Sequence, residues 1–184
     1  MKKSTIIIIA VVVILVGYFA MTYNRLVTAR TAADAQWAQV ETQYQRRFDL
    51  IPNLVNAVKG VMKQETAVFG AIADARTRYA GATTPDAKAA AASEVESSFA
   101  RLLVVMENYP QLQSSANVQT LQAQIEGTEN RISTERGRYN EDVRSYNLVV
   151  SRFPSSLVAS VTGFDSRSYF EAAAGTEVAP TVEF

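Results

Sequence analysis

The stretch TIIIIAVVVILVGYFAMTY, residues 5–23, decides how this chain is organised. It contains no charged residue, and most of its positions are Ile, Val, Leu or Ala. A helix of this length extends about 28 Å, close to the hydrocarbon thickness of a bilayer. The sequence therefore predicts a transmembrane helix over residues 5–23, embedded in a lipid bilayer, after a short basic N-terminus at residues 1–4.

A cleaved signal peptide is the alternative for this segment, since Lys2 and Lys3 precede the apolar run. Cleavage requires small residues at the −3 and −1 positions, which the pair Tyr18 and Ala20 does not supply. We expect a retained, single-pass membrane anchor.

The charges on either side of the span differ little. Lys2, Lys3 and the terminal amine precede it, and Arg25 and Arg30 follow it. The positive-inside count therefore favours an extracytoplasmic domain by a single charge.

Composition excludes several classes of function. The 184 residues include 18 Lys plus Arg, 18 Asp plus Glu, and neither Cys nor His. A chain without net charge lacks the basic signature of nucleic-acid binders, so no nucleic-acid partner is predicted. Disulfides, thiol catalysis and His-activated nucleophiles are excluded, and zinc lacks its preferred ligands. We expect no catalytic residue, no cofactor and no metal site.

Residues 24–163 show a helical period throughout. The predicted fold is all-α: the transmembrane helix continues into an up-and-down antiparallel four-helix bundle. Asp49 and Pro52 predict a new helix or a sharp kink, and the second apolar stripe continues from there to Tyr79. A third helix is expected to begin at Thr84 or Asp86, where either side chain could act as the cap.

The last predicted helix is the longest, from Val118 to Phe153, and Pro154 stops it. The C-terminal tail, residues 164–184, is expected to contain a docked aromatic segment and then to be partly disordered.

The junction of the first two predicted helices carries the candidate site, at Arg46, Arg47 and Asp49. One interpretation is a contact for an anion or an acidic partner, because exposed amides at a helix start attract negative charge. The other, which we favour, is a polar network that fixes the helix register. Its expected members are Arg47, or Arg46 in its place, with Asn53, Glu126 and Glu129.

Three further features have competing interpretations. Glu126 and Glu129 share one helix face, but the chain has no His to complete a di-iron site. Trp37 is expected in the core rather than at the membrane surface. Four glycines within the predicted helices would allow close packing inside the bundle, or would thin an exposed face for self-assembly: Gly60, Gly70, Gly127 and Gly137.

Several stretches together resemble the LemA family of small bacterial membrane proteins. These are QRRFDLIPNLVNAVKG at 45–60, ENYPQL at 107–112, EGTENRI at 126–132, and the pairs Tyr139-Asn140, Tyr146-Asn147, Gly163-Phe164 and Tyr169-Phe170. The resemblance covers about residues 23–170. It implies an N-terminal transmembrane helix with a four-helix-bundle domain, usually drawn on the cytoplasmic side, and supplies no catalytic residue. The chain departs from it at Gln64-Glu65, where members often carry His-Glu.

The sequence thus favours a non-enzymatic, membrane-anchored scaffold or interaction protein of the bacterial envelope. It would be a single-pass protein of the bacterial cytoplasmic (inner) membrane that associates with itself as a homo-oligomer through coiled-coil contacts, or docks another membrane protein. The alternative is a membrane-bound receptor for a small anionic ligand or lipid head group at Arg46 and Arg47.

Overall fold

The computed structural model of the protein describes residues 3–170. All regular structure within these residues is helical. Its elements are α1 (Lys3–Lys59), α2 (Thr66–Gly81), α3 (Pro85–Met106), α4 (Pro110–Gln113), α5 (Ala116–Ser151) and α6 (Ser155–Thr162). The end of the predicted tail, residues 171–184, lies outside the described part.

Helix α1 joins the apolar span to the rest of the chain without interruption, as predicted. Its residues 3–21 are all exposed, and Thr22 is its first buried residue. By length and composition, α1 contains one segment that could cross a membrane. Within residues 3–170, the apolar side chains up to Met21 are therefore not buried against any other part of the chain.

The prediction of a new helix at Asp49 was wrong, because α1 continues through Pro52 to Lys59. Proline removes one backbone hydrogen bond from a helix interior. However, Ile51 and Leu54 on either side of it are completely buried, and we attribute the continuity of the helix to this packing. The break comes instead at residues 60–65, which the second predicted helix was expected to span.

Two helix pairs build the domain: α5 packs along α1, and α2 packs along α3. One apolar core contains buried residues from α1, α2, α3, α4 and α5, and Trp37 lies in it as predicted. Thr84 caps α3 by accepting a hydrogen bond from the amide of Ala87 at 3.2 Å. This resolves the choice between Thr84 and Asp86.

A second, smaller core lies where α1 leaves the apolar span. It contains Leu26 of α1, Val149 of α5 and Val158 of α6. Helix α6 follows the end of α5 at residue 151 and was not predicted from the sequence. The domain therefore has an additional short helix at its membrane-proximal end.

The expectation that glycines allow close packing was wrong. A Cβ atom added at Gly60, Gly70, Gly127 or Gly137 would meet nothing within 4 Å. Gly60 also lies in the turn after α1 rather than inside a helix. None of the four is therefore required for a close approach between helices of this chain.

Candidate functional site

Arg47 is the one candidate residue whose charge is buried. It is 6% exposed on α1, and its Nη1 atom donates a hydrogen bond to Oε2 of Glu129 on α5. The same Nη1 lies 3.8 Å from Oε1 of Glu96 on α3. Its guanidinium also stands over the ring of Phe99, 5.9 Å from the ring centroid. Arg47 thus connects α1 to both α3 and α5.

A second arginine completes this cluster. Arg136 on α5 donates from Nε to the hydroxyl of Tyr44 at 2.8 Å and from Nη2 to Oε1 of Glu96 at 2.9 Å. Glu96 therefore stands between two arginines, Arg47 and Arg136, and Glu129 pairs with the first. The charges of the two arginines and the two glutamates cancel, so the cluster has no net positive charge that would attract an anion.

Burial sets the direction of the pKa shift at two members of the cluster, Tyr44 and Arg47. It raises the pKa of Tyr44 to about 12, against the opposing charge of Arg136. It lowers the pKa of Arg47 below its usual value, while the charge of Glu96 acts in the opposite direction. The Nε atom of Arg47 is buried and has no hydrogen-bond partner among the described residues. The cluster thus joins α1, α3 and α5 through ion pairs and hydrogen bonds.

The structure separates the remaining predicted site residues from this cluster. Arg46 and Asp49 are exposed on α1, and Asp49 accepts a hydrogen bond from Gln45 at 2.8 Å. Asn53 donates to the backbone carbonyl of Asp49 at 3.5 Å instead of contacting Arg47. Glu126 is exposed, and within residues 3–170 no hydrogen bond or ion pair joins it to Arg47.

Arg46 lies in a different environment from Arg47. It lines an open groove of about 310 Å³ between α1 and α5 together with Arg131, Gly127 and Thr128. Within the described part of the chain, neither arginine forms an ion pair with an acidic side chain. This basic groove is the part of the predicted anion site that remains accessible.

Sequence reasoning missed Glu96 and Arg136 of the ion-pair cluster, and it also missed the role of two asparagines on α5. Asn140 donates from Nδ2 to the carbonyl of Phe170 at 3.0 Å and accepts from the amide of the same residue at 2.9 Å. Asn147 makes the same reciprocal pair with Arg167, at 2.9 and 2.8 Å. The two asparagines, one heptad apart, hold residues 164–170 along α5.

Aromatic contacts extend this clamp into the core. The ring of Phe170 stacks on Trp37 at 5.4 Å between centroids and meets Tyr139 edge-on at 5.4 Å. The guanidinium of Arg136 stands 5.3 Å from the same Phe170 ring. The docked segment is therefore coupled to the ion-pair network through Arg136.

The stretches of sequence that resemble the family contribute residues to the ion-pair cluster and to the asparagine clamp. Arg47 belongs to the 45–60 stretch and Glu129 to the 126–132 stretch, while Asn140, Asn147 and Phe170 form the clamp. The family model of the LemA family matches residues 36–184. The chain belongs to the LemA family.

Magnetosome proteins are similar in sequence to this chain. The chain is 27% identical to Magnetosome protein MamQ 1 and to Magnetosome protein MamQ 2 of Paramagnetospirillum magneticum, in each case over 186 aligned residues. These alignments cover 87% of this chain and 68% of each relative. Magnetosome protein MamQ of Magnetospirillum gryphiswaldense is 26% identical over 176 residues, covering 82% of this chain and 65% of the relative. The chain thus spans about two thirds of the length of these relatives.

The acidic side chains within the described part of this LemA-family chain form no metal-binding cluster. Among residues 3–170, no group of three or more Asp and Glu side chains is placed to hold a metal ion. Glu129, one of the two carboxylates considered for such a site, is instead paired with Arg47.

Proposed function

We propose that this protein is a single-pass protein of the bacterial cytoplasmic membrane and a non-enzymatic interaction scaffold. Residues 5–23 are the anchor, and the helical domain that follows associates with further copies of the chain or docks another membrane protein. The single observation that carries the proposal is the continuity of α1 from Lys3 to Lys59.

A continuous α1 has a mechanical consequence. From Tyr23 to Lys59 the helix extends about 54 Å beyond the end of the apolar segment. The α1–α5 and α2–α3 pairs share one core with that helix, so its orientation is transmitted to the whole domain. A rigid projection of this kind suits a scaffold that presents surfaces at a fixed height above a membrane.

The four long helices support an up-and-down bundle as the architecture of the domain. The connections at residues 60–65 and 82–84 are short, and short connections between helices favour antiparallel neighbours. Cross-helix ion pairs join Lys88 to Glu41 and Arg78 to Glu94, which connect α3 with α1 and α2. We propose that these helices form one four-helix bundle.

The comparisons support a role without catalysis. Neither the LemA family name nor the name magnetosome protein describes an enzymatic activity. Arg47, the buried charged residue of the described domain, takes part in ion pairs that connect α1 with α3 and α5. The charge count favours an extracytoplasmic domain by a single charge, whereas the family resemblance implies a cytoplasmic one, and single-cysteine labelling from either side of the membrane decides between them.

The test is the mass and composition of the particle extracted from its own membrane in native lipid. Light scattering measures the mass, and mass spectrometry identifies the components. Several copies of this chain in one particle, or a second protein in fixed ratio, is the expected result. A particle holding one copy and no other protein would contradict the scaffold proposal. Crosslinking through single cysteines at Arg101 and Arg144, on different helices, would locate the contact.

A second candidate function rests on the basic groove at Arg46 and Arg131. Two guanidinium groups in one open groove favour a receptor for a small anion or a lipid head group. The probe is glycerol 3-phosphate, titrated into the full chain in phosphatidylcholine nanodiscs. The control variant is Arg144→Gln, a substitution at an exposed arginine elsewhere on α5. Saturable binding that is lost in Arg46→Gln and retained in Arg144→Gln would support this function. Equal weak binding by all three proteins would exclude it.

A further inference from the structure

The exposed apolar side chains of α6 and of the turn before it are unexpected in a water-soluble domain. Phe153 is 76% exposed, Leu157 60% and Val161 79%. Leu157 and Val161 are four residues apart and lie on one side of the helix. We call these three residues the α6 apolar face.

The opposite side of α6 is already occupied. Val158 and Ala159 are buried in the small core with Leu26 of α1 and Val149 of α5. The α6 apolar face therefore points away from α1 and α5, and its exposure is fixed by how α6 is packed.

Both ends of α6 are held where α1 leaves the apolar span. At its beginning, the hydroxyl of Ser155 donates to the carbonyl of Val149 at 2.7 Å. At its end, the ring of Phe164 packs edge-on against Tyr23, with centroids 5.9 Å apart. Tyr23 is the last residue of the predicted span.

The height of α6 matches the polar boundary of a bilayer. Tyr23 and Leu26 differ in height by about 4.5 Å along α1. The head-group region adds roughly 5–8 Å to each side of the hydrocarbon. If residues 5–23 fill the hydrocarbon, α6 lies within the head-group region of the same leaflet.

The charges around α6 fit that location. Residues 152–163 contain no acidic side chain, and Arg152 directly precedes Phe153. Arg25 follows Tyr23 on α1 and is exposed. An apolar helix face bordered by arginines is typical of segments that lie in a membrane interface.

We propose that the α6 apolar face inserts into the head-group region of the bilayer that α1 spans, as a second membrane contact. This inference rests on the proposed anchor. With only the span, the domain would be attached at one point, whereas insertion of α6 beside it fixes the tilt and rotation of the domain. The surfaces presented by the scaffold are then oriented relative to the membrane.

The experiment uses single-cysteine variants of the full chain, which has no cysteine of its own. Nitroxide labels at Leu157→Cys and Val161→Cys are compared with labels at Val13→Cys in the span. Val104→Cys on α3 is the matched control, since Val104 is 62% exposed. The variants are measured in phosphatidylcholine–phosphatidylglycerol nanodiscs by power-saturation electron paramagnetic resonance. The method gives the collision rate of each label with oxygen, which is enriched in lipid, and with a nickel chelate, which stays in water. The oxygen-to-nickel ratio of these two rates is therefore high for a label in lipid.

The expected ratio at Leu157 and Val161 is at least threefold that at Val104 and below that at Val13. A ratio at Leu157 and Val161 equal to that at Val104, with a high ratio at Val13, overturns the α6 contact and leaves the anchor intact. A low ratio at Val13 overturns the anchor and the α6 contact with it. Spin–spin broadening at Leu157 without a raised oxygen ratio would show a contact between copies and would also overturn lipid insertion.

Discussion

Asn140 and Phe170 are joined by two hydrogen bonds in opposite directions: the side-chain amide of Asn140 donates to the carbonyl of Phe170 and accepts from its amide. A primary amide presents an N–H donor and a carbonyl acceptor on the same edge, so one asparagine side chain can satisfy both the carbonyl and the amide of a single residue. Asn147 repeats the arrangement at Arg167. The clamp thus recognises backbone rather than side chains.

The first prediction concerns this clamp. Asn140→Ala removes both hydrogen bonds at Phe170, and we expect a loss of about 1–2 kcal/mol in the free energy of unfolding. Hydrogen exchange should accelerate at the Phe170 amide while the Arg167 amide, held by Asn147, stays protected. Asn130→Ala, an exposed asparagine on the same helix, is the control. Unchanged exchange at Phe170 in Asn140→Ala would contradict the role of the clamp.

The second prediction separates the two adjacent arginines. Arg47→Met leaves Glu129 without its partner, and we expect a loss of about 1–3 kcal/mol. The estimate is below that for a fully buried pair because the side chain of Glu129 is 48% exposed. Arg46→Met should change stability by less than about 0.5 kcal/mol. Thermal unfolding in detergent, followed by circular dichroism, measures both, and equal losses would refute the assignment.

The charge exchange at this pair is a third prediction. In the double variant Arg47→Glu with Glu129→Arg, stability should return only in part. Position 47 also faces Glu96, whose Oε1 lies 3.8 Å from the Arg47 guanidinium, so a glutamate there meets a like charge. Complete recovery relative to the two single variants would mean that Glu96 contributes nothing. No recovery at all would mean that the pair itself is unimportant.

The fourth prediction is a loss of stability at high pH. Burial raises the pKa of Tyr44 in the folded protein from 10 to about 12. The folded state therefore binds the phenol proton more tightly than the unfolded state, and this stabilisation is complete below pH 10 and is lost as the pH rises to 12. The difference in unfolding temperature between the wild type and Tyr44→Phe should shrink across that window. A constant difference from pH 9 to pH 12 would be evidence against the shift.

The fifth prediction contrasts two glycines. Gly163 ends α6 with φ at +73°, a left-handed conformation, so Gly163→Ala should cost about 1 kcal/mol. Gly137 lies inside α5 with open space at its Cβ position, so Gly137→Ala should stabilise by about 0.5–1 kcal/mol. Opposite shifts of the unfolding temperature are expected, and shifts of the same sign would contradict this reading of the two backbones.

Features that depend on residues close together in the chain could be predicted from the sequence. The apolar run of residues 5–23 predicts a span because nineteen uncharged residues have no polar face. Thr84 was among the two caps named for α3, and Pro154 correctly marks the end of α5. The helix start predicted at Asp49 and Pro52 was wrong, because α1 continues through Pro52, where the neighbouring Ile51 is buried.

The sequence by itself determined the helical class, the apolar segment and the long helix α5, since these follow from composition and from the spacing of apolar residues. Only the tertiary structure decided that Arg47 is buried while Arg46 is exposed, because one residue step turns a helix by about 100° and moves a side chain from one face to the next. The clamp at Asn140 and the position of α6 beside Tyr23 likewise required the packed structure. Both join residues far apart in the chain, and no local pattern specifies which of them will meet.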